Sequence, residues 1–221
     1  MGTSASENIP FVVRELRRTR PRLILDVGIG FGKWGVLARE YLDAWEGRNR
    51  REEWIVRIEG IEAFDGYRNP VWDAVYDAVH IGRAEEVLEG LGDFDVGIIC
   101  DVIEHLEKPT GKRLLAQMVR KCATVILTTP LSFWPQGEEN GNPDERHLCL
   151  WQPGDFEEYS GFSEVLGATF GAVIQQTETA ARKPFRQLHR LVYEGVRPLL
   201  RGAGRRLLLK MKGSAPERLQ P

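Results

Sequence analysis

Cysteine is scarce in this chain. Cys100, Cys122 and Cys149 are the only three in 221 residues, and no two stand in C-x-x-C spacing. A disulfide framework is thereby excluded, and reduced thiols in a cytoplasmic protein are the simplest reading. Long apolar runs are missing too. Nothing approaches the about 18 consecutive apolar residues of a membrane span, and mean hydropathy is -0.32. The opening MGTSASENIP lacks the basic start and apolar core of a secretory signal. There is no G-x-x-x-x-G-K-[ST], which excludes a P-loop, and no internal repeat. What is present is ordinary globular composition, 42% hydrophobic and 28% charged in 25.1 kDa. A chain of this size buries well over half of its unfolded surface without a metal or disulfide staple.

The small net charge of -2 conceals an asymmetry. Residues 182–221 hold 11 of the 30 Lys and Arg residues but only two acids, Glu194 and Glu217. The rest of the chain is strongly acidic, so the basic tail is expected to have a separate job.

Short apolar runs alternate with helical patterns. Residues 8–18 read as a helix stopped by Pro21. Strands are expected at 23–27, 54–62, near 80–81, at 95–100 and at 124–129. Helices are expected between them at 33–45, 71–79, 84–91 and 107–122, and a further helix from Pro153 to Tyr159. Alternation of this kind means βαβ units and a mostly parallel sheet. Nearly continuous apolar strands mean that both faces are covered. Two last strands, 163–166 and 171–176, are joined by a short turn. They must pair antiparallel, because a parallel crossover needs a dozen or more residues.

Three local signals follow strands. Asp26-Val-Gly28-Ile-Gly30-Phe-Gly32 lies between a strand and a helix. Glycines there let the backbone turn tightly and approach a ligand, and the helix N-terminus favours polar or anionic groups. The spacing is G-x-G-x-G, not the dinucleotide G-x-G-x-x-G. Glu62 ends the second strand, where an acid in nucleotide-binding α/β folds holds ribose hydroxyls. Asp101-Val-Ile-Glu104-His105 ends the fourth strand, at the carboxyl edge where ligands sit. Each has a plainer alternative: a packing turn, a solvated acid, a capping carboxylate beside a core histidine.

Taken in order, LILDVGIGFG, GIEAF, FDVGIICDVIEHLEK, VILTTP and the late hairpin resemble a class I S-adenosylmethionine-dependent methyltransferase over residues 8–177. The resemblance implies a doubly wound α/β fold with a mostly parallel seven-stranded sheet and one antiparallel strand near its C-terminal end. It implies S-adenosyl-L-methionine as cofactor. Gly28, Gly30 and Gly32 would pass under its methionine and ribose portions. Asp26 would orient that loop and reach the cofactor amine through water. Glu62 would hold the ribose hydroxyls, and Asp101 with the Val102 backbone would line the methionine end. One position departs from the family. Where an acid often reads the adenine amine, this chain has Gly82-Arg83-Ala84, and arginine cannot accept a hydrogen bond. Adenine would then be read by the Ala84 backbone or by Glu85.

Methyl transfer needs an aligned acceptor and, for a hydroxyl, removal of its proton. D-V-I-E after the fourth strand, in place of N-P-P-Y or D-P-P-Y, argues against base N-methylation. It fits the branch acting on small-molecule, glycan or lipid-linked acceptors. The loop at 131–152 is expected to supply the acceptor side, with Trp134, His147 and Trp151. His147 is the leading general base, with His105 and Asp101 behind it. No metal is assigned. An alternative reading takes Asp101, Glu104, His105 and His147 as ligands of a divalent cation. It is similar to the metal site of small-RNA 3′-end 2′-O-methyltransferases. A non-catalytic S-adenosylmethionine-binding protein is a third reading.

The expected domains are a methyltransferase domain at 1–180 and a basic amphipathic tail at 181–221. Within 184–201, Phe185, Leu188, Val192, Val196 and Leu199 share a helical face. Arginines lie largely off it, which suits a peripheral contact with an anionic membrane. A packed helix or a nucleic-acid contact is the alternative.

Overall fold

The computed structural model describes residues 3–176 and the extended backbone of residues 186–188. Its helices are α1 (Ile9–Thr19), α2 (Lys33–Leu42), α3 (Pro70–Val75), α4 (Ala84–Val87) and α5 (Lys108–Lys121). The strands are β1 (Leu23–Val27), β2 (Arg57–Glu62), β3 (Ala78–Ile81), β4 (Phe94–Cys100), β5 (Cys122–Pro130), β6 (Ser160–Val165), β7 (Thr169–Gln175) and the short β8 (Arg186–Leu188). They form one sheet in the order β3-β2-β1-β4-β5-β7-β6-β8. Pairs β2–β3, β1–β2, β1–β4 and β4–β5 are parallel. Strand β7 runs antiparallel to both β5 and β6. The mostly parallel doubly wound sheet and its antiparallel late strand are as the sequence predicts.

Period-2 alternation divides the strand residues between two layers. Ile24, Val96 and Ile98 face one core with Phe11, Leu16, Trp34, Ala38 and Trp72, from α1, α2 and α3. Leu25, Val27 and Ile99 face the other with Leu114, Leu115 and Met118 of α5. Both faces being covered explains why β4 and β5 read as continuous apolar runs. Strand order reverses between β1 and β4, which opens a crevice at their carboxyl ends.

Several boundaries differ from the sequence expectation. Helix α2 ends at Leu42, not Trp45. Asp43 leaves the helix to bind Arg39, Arg48 and the Ile55 N–H, and residues 44–46 wind into a 3-10 turn. The charged stretch at 46–54 is fastened to the body of the domain. Arg48 is held by Asp43, and Arg51 donates to the Asp73 and Tyr76 carbonyls. Helix α3 stops at Val75, so Tyr76 is extended and its hydroxyl reaches Asp26. Residues 153–156 make only a 3-10 turn where a helix was expected, because Ser160 already begins β6.

Residues 186–188 are extended where the spacing predicts helix. The rest of the basic tail, with its predicted amphipathic face, lies outside the described residues. Among the described residues, no helix is long and apolar enough to cross a membrane.

Candidate cofactor and acceptor site

The crevice between β1 and β4 holds a pocket of about 190 Å³. Its floor is the turn after β1, where Gly28, Gly30 and Gly32 take φ of 73°, 50° and 103°. Left-handed backbone of this kind favours glycine. At Gly28 the space is closed as well: an added Cβ would lie 2.5 Å from Val102 Cγ2. The loop therefore presses directly against the segment that follows β4. Gly28 and Gly30 line the pocket, whereas Gly32 sits behind them as the N-cap of α2.

Glu62 lies on the pocket wall at the end of β2. Its Oε2 accepts the Gly30 N–H at 2.9 Å and its Oε1 accepts the Phe64 N–H at 3.1 Å. One carboxylate thus fastens the glycine loop from below. Burial raises its pKa above the usual carboxylate range, against those two N–H bonds.

Asp26 is not on the wall. It is fully buried beneath the loop, and its Oδ2 accepts the Tyr76 hydroxyl at 2.7 Å. Its Oδ1 has no hydrogen-bond partner. Burial pushes its pKa up to about 7, the Tyr76 bond opposing the shift. It supports the loop from behind rather than presenting a free carboxylate to the pocket.

Asp101 lies on the wall with an unusual backbone, φ 54°. Its oxygens accept from Ala5 N (3.1 Å), Asn8 Nδ2 (2.9 Å) and Thr128 Oγ1 (2.9 Å). A carboxylate so engaged positions other groups, and burial raises its pKa above the ordinary value against those hydrogen bonds. It ties down the chain start, whose Thr3 and Ser4 close one side of the pocket. Lys33 completes the fastening by donating to the Ser4 carbonyl. This use of the N-terminal segment has no motif, and sequence reasoning missed it.

The loop at 131–152 does roof the pocket, but with different residues from those expected. Gln136, Asn142, Asp144 and Glu145 reach the wall. Glu145 accepts the Tyr67 hydroxyl at 2.6 Å, and Asp144 pairs with Arg83 at 2.9 Å. Ala84 and Glu85 line the same end. The Arg83 that departs from the family pattern thereby brings a loop acid to that end of the pocket. Trp151 does not face an acceptor. It is 0% exposed, donates its indole N–H to the Ile103 carbonyl, and stacks on Phe156 in the core. Trp134 is 68% exposed and lies over a small side cavity.

The ionisable cluster lies between that side cavity and the main pocket. His105 lines the main pocket, His147 lines the side cavity, and their rings meet edge to face at 4.8 Å between centroids. His105 Nδ1 faces the Arg146 carbonyl at 3.2 Å, and His147 Nδ1 faces the Trp134 carbonyl at 2.6 Å. A carbonyl can only accept, so in a neutral ring Nδ1 carries the proton and Nε2 the lone pair. Burial, then the neighbouring His147, lowers the pKa of His105. Glu104 is buried behind them. Its Oε2 accepts from Thr129 Oγ1, and its Oε1 is a buried oxygen with no hydrogen-bond partner. Burial and Asp101 raise its pKa well above normal. One ligand-type atom each from Glu104, His105 and His147 lies within 4.8 Å of the others. Asp101 is outside that group, its carboxylate taken up by the N-terminal segment.

No protein-family model and no curated protein matches the chain. Solved structures do. An O-methyltransferase family protein from Burkholderia thailandensis superposes at a TM-score of 0.56 and 12% identity over 78% of this chain. The match spans 57% of that protein, little more than half its length. The methyltransferase domain of bacterial CtHen1-CN matches at 0.52 and 16% identity, over 76% of this chain and 97% of that one. The N-terminal domain of EvdMO1, in the presence of SAH and D-fucose, matches at 0.52 and 19%, over 79% and 84%. At such identities the likeness is one of architecture: the chain has the fold of the class I S-adenosylmethionine-dependent methyltransferases.

Proposed function

We propose that the protein is an S-adenosylmethionine-dependent methyltransferase acting on a hydroxyl oxygen of a small or glycan-like acceptor. The observation that carries this reading is the strand-end cradle at the β1/β4 reversal. Three left-handed glycines, one pressed against Val102, lie beside an acid, Glu62, at the next strand end. The cradle suits a ligand that needs close backbone approach along one side and ribose recognition on the other. Gly28, Gly30, Glu62, Ala84, Asp101 and Val102 line it and would hold the cofactor, with Asp26 and Gly32 supporting from behind. When bound, the cofactor supplies an electrophilic methyl group on sulfur.

This chain's own groups then orient the acceptor and manage its proton. The polar roof of Gln136, Asn142, Asp144 and Glu145 suits an acceptor carrying several hydroxyls. The presence of D-fucose with the similarly folded EvdMO1 domain is in keeping with that. His105 Nε2 is the base, since His105 faces the pocket in its neutral form. His147 packs on His105 and holds its ring, which reverses the order of the two candidate bases. Calorimetry should show S-adenosylhomocysteine binding, and a Gly30→Arg variant should lose it. Tight NAD binding with no response to S-adenosylhomocysteine would overturn the reading. Mass spectrometry of products formed in cell extract tests the acceptor class, and methylated nucleic acid as sole product would rule it out.

The orphaned, buried Glu104 Oε1, on a carboxyl group grouped within 4.8 Å with ring nitrogens of His105 and His147, favours a second reading. There, Glu104, His105 and His147 hold a divalent cation that orients the acceptor oxygen. Histidines that donate the other ring N–H to backbone carbonyls are a common arrangement around metals. Activity lost in EDTA and restored by magnesium or manganese selects it over the metal-free base.

The basic tail at 182–221 stays proposed as a reversible contact with anionic membrane, salt-sensitive through its charge.

A further inference from the structure

Away from the pocket, at the amino ends of β1 and β2, lies a second concavity of about 690 Å³. Among the described residues, six arginines line it, Arg14, Arg17, Arg18, Arg20, Arg22 and Arg48, and the single acid on its wall is Glu46. Local ion pairs satisfy half of the arginines. Arg14 is held by Glu15 and Glu164, Arg18 by Glu15, and Arg48 by Asp43. Among the described residues no ion pair includes Arg17, Arg20 or Arg22, and all three are exposed. Arg17 stands in the last turn of α1, where a cation also favours the helix dipole. Arg20 is the C-cap of α1, where the same argument holds, whereas Arg22 lies two residues beyond it and has no such explanation.

An aromatic platform stands at the rim. Trp45 is 63% exposed and stacks on Tyr41, whose side chain lines the groove, with ring centroids 6.1 Å apart. Arg17 lies over the Trp45 ring at 5.7 Å. A large exposed indole beside Arg17, which has no ion pair among the described residues, serves little purpose for folding.

We propose that this groove binds single-stranded nucleic acid. Guanidinium groups match phosphate oxygens with two parallel N–H donors, and an exposed indole gives a base a face to stack on. A groove that tracks the backbone, with an aromatic beside it, is the arrangement such ligands use. An anionic bilayer is flat and meets a concave row of arginines poorly. The site is independent of methyl transfer and does not rest on the function proposed above.

The test uses the full-length protein and a fluorescein-labelled 12-nucleotide oligouridylate, followed by polarisation across a salt series. Binding should weaken with salt. The triple variant Arg17→Gln, Arg20→Gln, Arg22→Gln should bind at least tenfold more weakly, with a log–log salt slope shallower by about 2 for three lost phosphate contacts. Trp45→Ala should weaken binding about tenfold and remove the part of the fluorescence quenching that the oligonucleotide causes at Trp45. All four positions are exposed, and unchanged thermal melting and S-adenosylhomocysteine affinity will show that the fold is intact. No binding of the parent protein at low salt overturns the proposal. So does equal affinity and slope in the triple variant, which assigns the oligonucleotide to another basic segment such as 182–221. Loss of binding to phosphatidylglycerol vesicles in the triple variant, with oligouridylate binding unchanged, assigns the groove to lipid and overturns it too.

Discussion

Gly28, Asp26 and His105 show how single side chains set this site. At Gly28 the backbone conformation and the neighbouring Val102 both forbid a Cβ. Gly28→Ala should therefore weaken S-adenosylhomocysteine binding at least tenfold by calorimetry and cost about 1–3 kcal/mol of stability. Asp26 is a buried acid whose pKa rises to about 7, against 3.8 for the free group. Between those values the folded protein keeps a proton that the unfolded chain has released. Stability contributed by the protonated form is then present at low pH and lost as pH climbs from about 4 to 7. Urea melts of the cofactor-free protein should show this slope, and Asp26→Asn should flatten it. The same slope in the variant would assign it to another group. His105→Gln should lower kcat about a hundredfold or more, as expected for loss of a proton acceptor, with cofactor affinity unchanged. Equal kcat would return His105 to a packing role.

Two segments with little regular structure complete the pocket, and both are tied to regular elements by buried polar contacts. The chain start hangs on Asn8, which is fully buried. Its amide donates to Asp101 and Thr128, and its Oδ1 accepts from Thr169. Asn8→Ala leaves those partners unsatisfied and should cost about 2–3 kcal/mol in chemical denaturation. The loop at 131–152 is anchored by Trp151 beneath α5, where Gly111 leaves room for the indole. Trp151→Ala should cost about 3–5 kcal/mol, as large core truncations do. Tyr67→Phe removes the buried bond to Glu145 and loosens the roof. It should raise the acceptor KM several-fold and cost about 1–3 kcal/mol in chemical denaturation, with cofactor affinity unchanged.

For the molecule as a whole, a ligand held at the sheet's reversal point stabilises the fold by mass action. At a hundredfold excess over its Kd, S-adenosylhomocysteine should add about 2.7 kcal/mol and raise the melting temperature by roughly 5–10 °C for a domain of this size. NAD should add nothing. The sequence by itself determined the architecture. Apolar runs covered on two faces, glycines after the first strand and a turn too short for a crossover leave few topologies other than this sheet. Those signals are local, set by spacing along the chain, and β1 at 23–27 coincides with its expected bounds. It also placed Glu62, Asp101 and His105 at strand ends, because a parallel sheet puts ligands at its carboxyl edge whatever the side chains. What each acid does was decided only by folding. Asp101 holds the N-terminal segment because Asn8, 93 positions away, reaches it. Trp151 moved from a binding wall to the core because Gly111 opened a space there. Arg17 became a neighbour of Trp45 because α1 and α2 pack side by side on one face of the sheet. Partners chosen across such distances leave no spacing in the sequence, so only the tertiary structure could select them.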